Sequence, residues 1–487
     1  MIRPPGENMP GMPGVFSGSS SAMPTADSIP RVVVIGGGFA GLALCRELAK
    51  TRCQVTLVDR RNYHLFQPLL YQVATAGLSG SDIAQPIRRI LRRQRNAATH
   101  LGEVARIDLA RRVVVVRDVL EPAEPGARAS TDARAAIARE VELPYDFLAI
   151  ACGVETNWFG HDAWAEHAIG LKTLADADRI RDSVLRALEQ AENEPDGSPR
   201  RAALLTTVVI GGGPTGVEMA GALAELARNV SAHDFRRCRG AGYRVLLLDR
   251  DDRLLTSFDP ALAQRAREDL ERLGVEVRFG AAVESIERGA VVVAGARIEA
   301  ATIVWAAGVQ APALTRRIEP PVTTDRAGRI AVDAQLRVPG HPEVFALGDI
   351  AHMDDGTGRG HAVPGVAQGA MQSGRYAGRA IRRMIEAGGA SAAGTGVTAA
   401  DAGTTRASDA RPFRYADKGS LATIGKRRAV ADLGGWRFAG TPAWLLWLCI
   451  HLLSLIDIRS KLTVLIKWAW AYLWYDPAGR ILVERER

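Results

Sequence analysis

Two rhythms of hydrophobic and polar positions alternate along the chain, and each change of rhythm marks an element. After Arg31 the run Val32-Val33-Val34-Ile35 is uninterrupted and of strand length, which predicts a strand buried on both faces. From Leu42 the apolar positions take helical spacing, and Gln54 to Val58 returns to a strand. The order strand, helix, strand comes back at Thr206 to Ile210, from Val217, and at Tyr243 to Leu248. Between the two copies, Glu103 to Asp108, Arg112 to Val119 and Tyr145 to Ala151 read as strands, and residues 174 to 193 as a helix that Pro and Gly end before Arg200. Further strands are predicted around Val275 to Phe279, Ala290 to Val293, Ala301 to Trp305 and Val344 to Asp349. Strands alternating with helices in this way define an α/β chain.

The turns between these elements carry chemistry. Gly36-Gly37-Gly38-Phe39-Ala40-Gly41 joins the first strand to its helix, and Asp59 ends the second strand 23 residues after Gly36. Gly36 allows the tight turn, Gly38 lets backbone N–H groups approach a pyrophosphate, Gly41 lets helix and strand pack closely, and Asp59 can accept from both ribose hydroxyls. A glycine turn alone says little; with strand, helix and acid in place it is a dinucleotide fingerprint. Gly211-Gly212-Gly213-Pro214-Thr215-Gly216 repeats it, with Gly211, Gly213 and Gly216 in the three glycine roles. Its acid, Asp249, lies 38 residues after Gly211 because Asn229 to Ala241 is inserted. Two Rossmann-like dinucleotide-binding domains are therefore expected. Asp249 favours a free 2′-hydroxyl and hence NADH, whereas Arg250 and Arg253 would favour a 2′-phosphate. Val104 can offer a backbone group to an adenine edge, and Gly153, in a small-residue turn, suits close approach by the first nucleotide. Asp349 is placed to hold a flavin's ribityl hydroxyls, or else is an exposed strand-end acid.

With 487 residues the chain exceeds the size at which one core keeps growing, so two or three domains are expected. Apolar residues at 47% and charged residues at 24% make it globular. The net charge of +8 is dispersed and no nucleic-acid module is present, so an anionic membrane is the better partner and nucleic acid is excluded. Cys45, Cys53, Cys152, Cys238 and Cys449 form no close pair, which argues for a reducing compartment, small buried hydrophobes rather than redox centres, and no metal site.

Asn62 to Thr75 is too aromatic and mixed for a solvated loop; it should wrap a flat ring or pack into a domain interface. Arg88, Arg89, Arg92, Arg93 and Arg95 read as a solvated helix face. The segment from Trp436 to Tyr475 holds six of the nine tryptophans, and no residue from Phe438 to Ile456 is charged. That length gives about 28 Å of helix, just under the ~30 Å hydrocarbon core. Asp457, Arg459, Lys461 and Lys467 interrupt the apolar pattern beyond Ile456, so two helices lying on one leaflet are expected; core packing or a homodimer interface is the alternative. The layout expected is a disordered tail at 1–29, a first nucleotide domain from 30–173 and 325–386, a second at 174–324, a linker at 387–412 and a membrane-associated helical region at 413–487. Residues 121–140 look like a surface insertion.

Over most of Arg31 to Leu482 these residues resemble the type II NADH dehydrogenases, single-subunit NADH:quinone oxidoreductases that do not pump protons. The resemblance rests on Asn62 to Thr75, Gly211 to Glu218, Phe345 to Ile350, Ala367 to Gly374, Asp417 to Gly425 and the aromatic tail. It implies FAD at the first fingerprint and NADH at the second, a hydride passing from NADH to FAD and two electrons then passing to a membrane quinone, on the cytoplasmic face. The FAD contacts expected are Gly36, Gly37, Gly38, Phe39, Ala40, Gly41, Asp59, Arg60, Gln67, Val104, Gly153, Asp349, Ala367, Gln368 and Lys418. Those for NADH are Gly211, Gly213, Gly216 and Asp249. Glu218 would be the acid near the flavin, and Gln368 and Gln372 would lie beside the quinone. Gly365-Val366 departs from the Pro-Thr that many members carry there. A soluble reductase of a ferredoxin-like protein would not need the tail, sulfide:quinone reductase would need paired cysteines, and a flavoprotein sensor would bind NADH without steady turnover.

Overall fold

The computed structural model describes residues 29–118, 139–238, 242–358, 360–392, 411–474 and 481–482. Nearly all of the expected N-terminal tail and of the 121–140 insertion, and residues 393–410 of the expected linker, lie outside the described residues.

Each of two parallel sheets grows outward from the strand before a fingerprint. In the first, β1 (Arg31–Ile35) leads through α1 (Phe39–Glu47) to β2 (Gln54–Asp59). Then come β3 (Ala97–Asp108), β4 (Val113–Asp118), β5 (Glu140–Pro144) and β6 (Phe147–Ile150). The second holds α2 (Leu174–Asn193), β7 (Thr206–Ile210), α3 (Pro214–His233) and β8 (Arg244–Leu248), followed by α4 (Pro260–Arg272), β9 (Val275–Arg278) and β10 (Thr302–Trp305). The chain then returns to the first sheet with β11 (Arg337–Val338) and β12 (His341–Ala346).

The strand order of the first sheet is β11-β12-β6-β1-β2-β3-β4-β5, with β12, β6, β1, β2 and β3 parallel. The chain leaves β1 on one side and comes back on the other, so a crevice opens beyond the C-terminal ends of β1 and β6, where such sheets hold ligands. The second sheet runs Ile169–Gly170, β10, β7, β8, β9, all parallel, and its crevice lies between β7 and β10. Register repeats as well: Ile35 pairs with Val58 and Ile210 with Leu248, so Asp59 and Asp249 each follow the last paired residue. The extra residues of the second copy lengthen a helix rather than displace the acid. α1 has 9 residues and α3 has 20, running on to His233 through the start of the expected insertion. Both helices begin earlier than the apolar spacing predicts, at Phe39 and Pro214, because the glycine turn itself winds into the first helical turn.

α5 (Ala367–Ala392) is longer than expected: residues 387–392, read as linker, are helical, since the alanines around Gly388 and Gly389 keep helical preference high enough to continue. It lies tightly on α1. A β-carbon at Gly374 would strike the backbone of Ala40, and one at Gly378 would meet the Glu47 side chain and the Leu44 carbonyl.

The C-terminal region is an antiparallel sheet, β13 (Ser420–Gly425), β14 (Arg428–Leu433) and β15 (Trp436–Ala439), followed by α6 (Thr441–Ser454) and α7 (Ile458–Trp474). The two tail helices are apolar on both sides. Trp447, Leu455, Val464 and Trp468 are buried in one cluster with the 65–78 segment and α3, whereas Leu445, Leu453, Ile458, Leu462 and Ile466 are exposed. The alternative of core packing thus describes their inner face. No helix among the described residues is long and apolar enough to cross a membrane.

Candidate active site

At each fingerprint the acid is locked to the glycine turn. The Gly37 N–H donates to Asp59 Oδ2 at 2.6 Å and the Gly212 N–H to Asp249 Oδ2 at 2.5 Å, although the pairs are 22 and 37 residues apart. The other carboxylate oxygens accept from Arg61 N at 2.7 Å and Asp251 N at 3.0 Å. Burial raises the pKa of Asp59 against the opposing pull of these N–H groups. Gly36 and Gly211 sit at φ +103° and +111°, and a β-carbon on either would run into the strand-end backbone at Ala151 or Ala306. Gly38 and Gly213 differ: a β-carbon there would meet no atom within 4 Å, so the space ahead of each helix N-terminus is open.

The first crevice gathers most of the predicted FAD contacts. Gly348, at φ +69°, packs against Ala40 and Ala370, and its N–H donates to Ser373 Oγ at 3.1 Å. This turn delivers Asp349, whose pKa is raised by burial and lowered in part by Lys172 and Arg329. Asp349 is therefore a largely buried acid and not an exposed strand end. A β-carbon at Gly365 would stand 3.6 Å from its carboxyl carbon, an ordinary contact, so the departure from Pro-Thr leaves this corner unchanged. Val104 is buried beside a bulge in β3, and Arg60, Gln67 and Lys418 are exposed.

Gln368 and Gln372 stand one turn apart on α5, and both amides are engaged. Gln372 donates to the Ala416 carbonyl and accepts from its N–H, each at 2.9 Å. Gln368 donates to the Gly419 carbonyl at 3.1 Å and accepts from Lys418 N at 3.3 Å. They clasp the 416–419 segment onto the helix, a role the sequence does not announce, and each amide nitrogen keeps a second N–H beyond that bond. A few residues on, Thr423 N donates to Glu218 Oε1 at 3.4 Å. At ~3.3 Å per extended residue, Glu218 lies about 13 Å along the chain from the Gln368 clasp.

Glu218, in the first turns of α3, keeps a sliver of accessible surface, yet burial pushes its carboxyl pKa up to about 8. The Trp447 indole lies beside it, and its buried N–H closes no hydrogen bond of ordinary geometry among the described residues. An aromatic path joins this point to the first fingerprint. Phe39 meets His64 edge-on at 4.9 Å and Phe66 at 5.9 Å. Phe66 meets His451 at 6.2 Å, and His451 stacks on Trp447 at 4.1 Å. Tyr71 and Trp468 flank Trp447 at 6.3 Å and 5.8 Å. The Asn62–Thr75 stretch therefore packs into the interface between the two nucleotide halves and the tail while also touching the fingerprint. His451 Nδ1 lies 2.8 Å from the Trp447 carbonyl, which fixes it as the protonated nitrogen, and burial lowers the imidazole pKa to about 4.

Sequence reasoning missed Lys172, Trp447 and His451 as site residues. Lys172 is partly buried, and burial lowers its pKa against the opposing pull of the Asp349 charge. The only trace in the sequence is a lysine directly before the helix cap Thr173, a place where lysines are usually solvated. The five cysteines are free; burial pushes Cys45 and Cys152 up to about 12 and Cys53 to about 11, which leaves them as thiols. All five arginines from 88 to 95 are exposed, and Arg89 pairs with Asp457 of the tail at 3.0 Å.

Fold and site define a two-nucleotide oxidoreductase. The family described as Pyridine nucleotide-disulphide oxidoreductase matches residues 30–374, and the NDH2 C-terminal domain matches residues 418–474. The chain is 40% identical to the type II NADH:quinone oxidoreductase Ndh of Mycobacterium tuberculosis over 91% of its own length and 88% of that protein's. It is 30% identical to the mitochondrial internal alternative NAD(P)H-ubiquinone oxidoreductase A1 of Arabidopsis thaliana, over 93% and 86% of the two chains. The structure of NDH2 from Plasmodium falciparum in complex with NADH shares its fold at a TM-score of 0.78 and 19% identity, covering 94% of this chain and all of that one. The chain belongs to the type II NADH:quinone oxidoreductase family.

Proposed function

We propose that this enzyme takes a hydride from NADH onto FAD and passes two electrons to a quinone drawn from the membrane, without moving protons across it. The observation that carries the reading is the place of Glu218. It stands near the start of the helix that opens from the second fingerprint, and its carboxyl is buried beside the Trp447 indole of the tail, from which aromatic contacts reach back to the first.

The first fingerprint fits FAD. The open space before Gly38 leaves room for a pyrophosphate ahead of the helix N-terminus, Asp59 has lone pairs left for a ribose, and the partly buried Asp349 and Lys172 offer an acid and a base for a ribityl chain. FAD, when bound, supplies the two-electron chemistry that no side chain here provides. The protein's part is to bind and orient. Asp249 holds the nicotinamide nucleotide and disfavours a 2′-phosphate, so NADH is preferred over NADPH. Glu218 keeps its proton at neutral pH and can give it, or a hydrogen bond, to a quinone oxygen. The aromatic rings packed around Trp447 keep the surroundings of Glu218 poor in water. Gln368 and Gln372 fix the 416–419 segment, and the second N–H of each amide is left to donate to a quinone oxygen.

The exposed apolar side of α6 and α7, with the exposed Arg459 and the partly exposed Lys461 on the same helix pair, suits one leaflet of the cytoplasmic membrane face, so a quinone passes from lipid to the Glu218 site without crossing water. The test is a spectrum of the purified protein. A bound flavin bleached by NADH and restored by quinone is expected. A protein that binds no flavin, or whose bleached flavin quinone leaves unchanged, would overturn the proposal.

A further inference from the structure

We propose that two contacts made by the tail, Lys467 with Asp82 and Trp468 with Gln72, are positioning contacts for quinone reduction: they hold the Trp447–His451 wall over the Glu218 carboxyl. The inference rests on the quinone reading of the Glu218 site.

Apolar packing alone would keep α6 and α7 on the protein, but it is non-directional and lets a helix slide or roll. Here directional bonds from α7 and from Asp457 just before it fix the helix in register, and four of them reach one stretch, residues 72–89. Lys467 Nζ meets Asp82 Oδ2 at 2.6 Å. Trp468 Nε1 donates to Gln72 Oε1 at 2.8 Å, Gln85 Nε2 donates to Ser460 Oγ at 2.7 Å, and Arg89 pairs with Asp457 at 3.0 Å. Asp82 is 6% exposed and held before the lysine arrives, since the same Oδ2 accepts from Ser79 N and Ser79 Oγ, each at 2.7 Å.

The second contact leads straight to the wall. Gln72, having accepted from Trp468, donates through Nε2 to the Tyr71 hydroxyl at 2.9 Å. Tyr71 and Trp468 are the two rings that flank Trp447. Trp447 is thus clamped between two side chains tied through one glutamine, and it is the indole beside Glu218. Ile466, Lys467 and Trp468 follow one another along α7 as an exposed apolar residue, the ion pair and the wall. One turn of helix therefore links the outer surface to Trp447, and a shift of that turn would move the wall.

The experiment uses the full FAD-loaded enzyme in detergent and follows its two half-reactions separately by stopped flow: flavin reduction by NADH, and reoxidation by a short-chain, water-soluble quinone. Lys467→Met should slow reoxidation about tenfold, as expected when a reacting geometry loosens, and leave reduction within about twofold. Lys467→Arg, which keeps a cation at Asp82, should stay close to wild type. Trp468→Phe keeps the ring packing and removes only the donor, and should slow reoxidation in a protein that is still folded and flavin-loaded. It also serves as the decisive variant where Lys467→Met does not fold. The proposal is overturned where Met and Arg at 467 behave alike, where both half-reactions fall together, or where Trp468→Phe reoxidises at the wild-type rate. Absence of wild-type turnover would instead overturn the functional reading on which the inference rests.

Discussion

The glycines of the two fingerprints divide into those the fold needs and those a ligand needs. A β-carbon at Gly41 or Gly216 would strike the carbonyl of Gly36 or Gly211, so these positions hold helix to strand. Gly38, at φ −75°, suits any residue, and neither it nor Gly213 has protein in front of it. Gly38→Val should therefore fold normally and bind FAD at least about tenfold more weakly, ~1.4 kcal/mol, whereas Gly213→Val should purify with FAD and show the same loss for NADH. Flavin content and the NADH KM check the pair; full FAD occupancy in Gly38→Val would count against the assignment. Glu218 makes a pH-dependent prediction. Its carboxyl, pushed up to about 8 by burial, is protonated below that pH, so quinone reduction should be available there and lost above it. Glu218→Gln should lower the rate by about 10²-fold and abolish the alkaline limb, which a pH–rate profile of reoxidation would read. His451, held near 4, is neutral throughout and adds no second limb. The glycines and the two acids were legible in the sequence because they act on backbone a few residues away or across one sheet pair. The glutamine amides were not, because their partners at 416–419 come from a segment more than forty residues on.

At the scale of elements, regular patterns read true. The helix at 174–193 has the expected bounds, begun by a capping box between Thr173 and Asp176. The tail was legible as two helices but not in its allocation of faces, since an apolar residue looks the same in sequence whether it meets a core or a solvent of lipid. Deleting the chain from Gly440 would remove Trp447, Val464 and Trp468 from the main core, and the loss of one such tryptophan costs about 3–5 kcal/mol. A cleaner probe places charge on the outside only. Leu453→Glu with Leu462→Glu, at positions 64% and 55% exposed, should move the enzyme to the soluble fraction, lower activity with long-chain quinone and leave short-chain turnover largely intact. Sedimentation with membranes after both changes would show that this face is not the mooring.

For the whole molecule, the repeated register of the two sheets means that one device is used twice, each copy at the crevice where its sheet reverses direction. The C-terminal region then closes the space between them. Its helices face a folded interior on one side and the outside on the other, and that double duty has a consequence for how such sequences diverge. Outward positions such as Leu445, Leu453 and Leu462 answer only to greasiness, so any aliphatic residue serves and substitutions accumulate freely. Inward positions such as Trp447 and Trp468 answer to shape, and Trp468 also to a bonded neighbour, so they should drift slowly. Along α6 and α7 the helical period that hydrophobicity conceals should reappear as a period in the rate of evolutionary change.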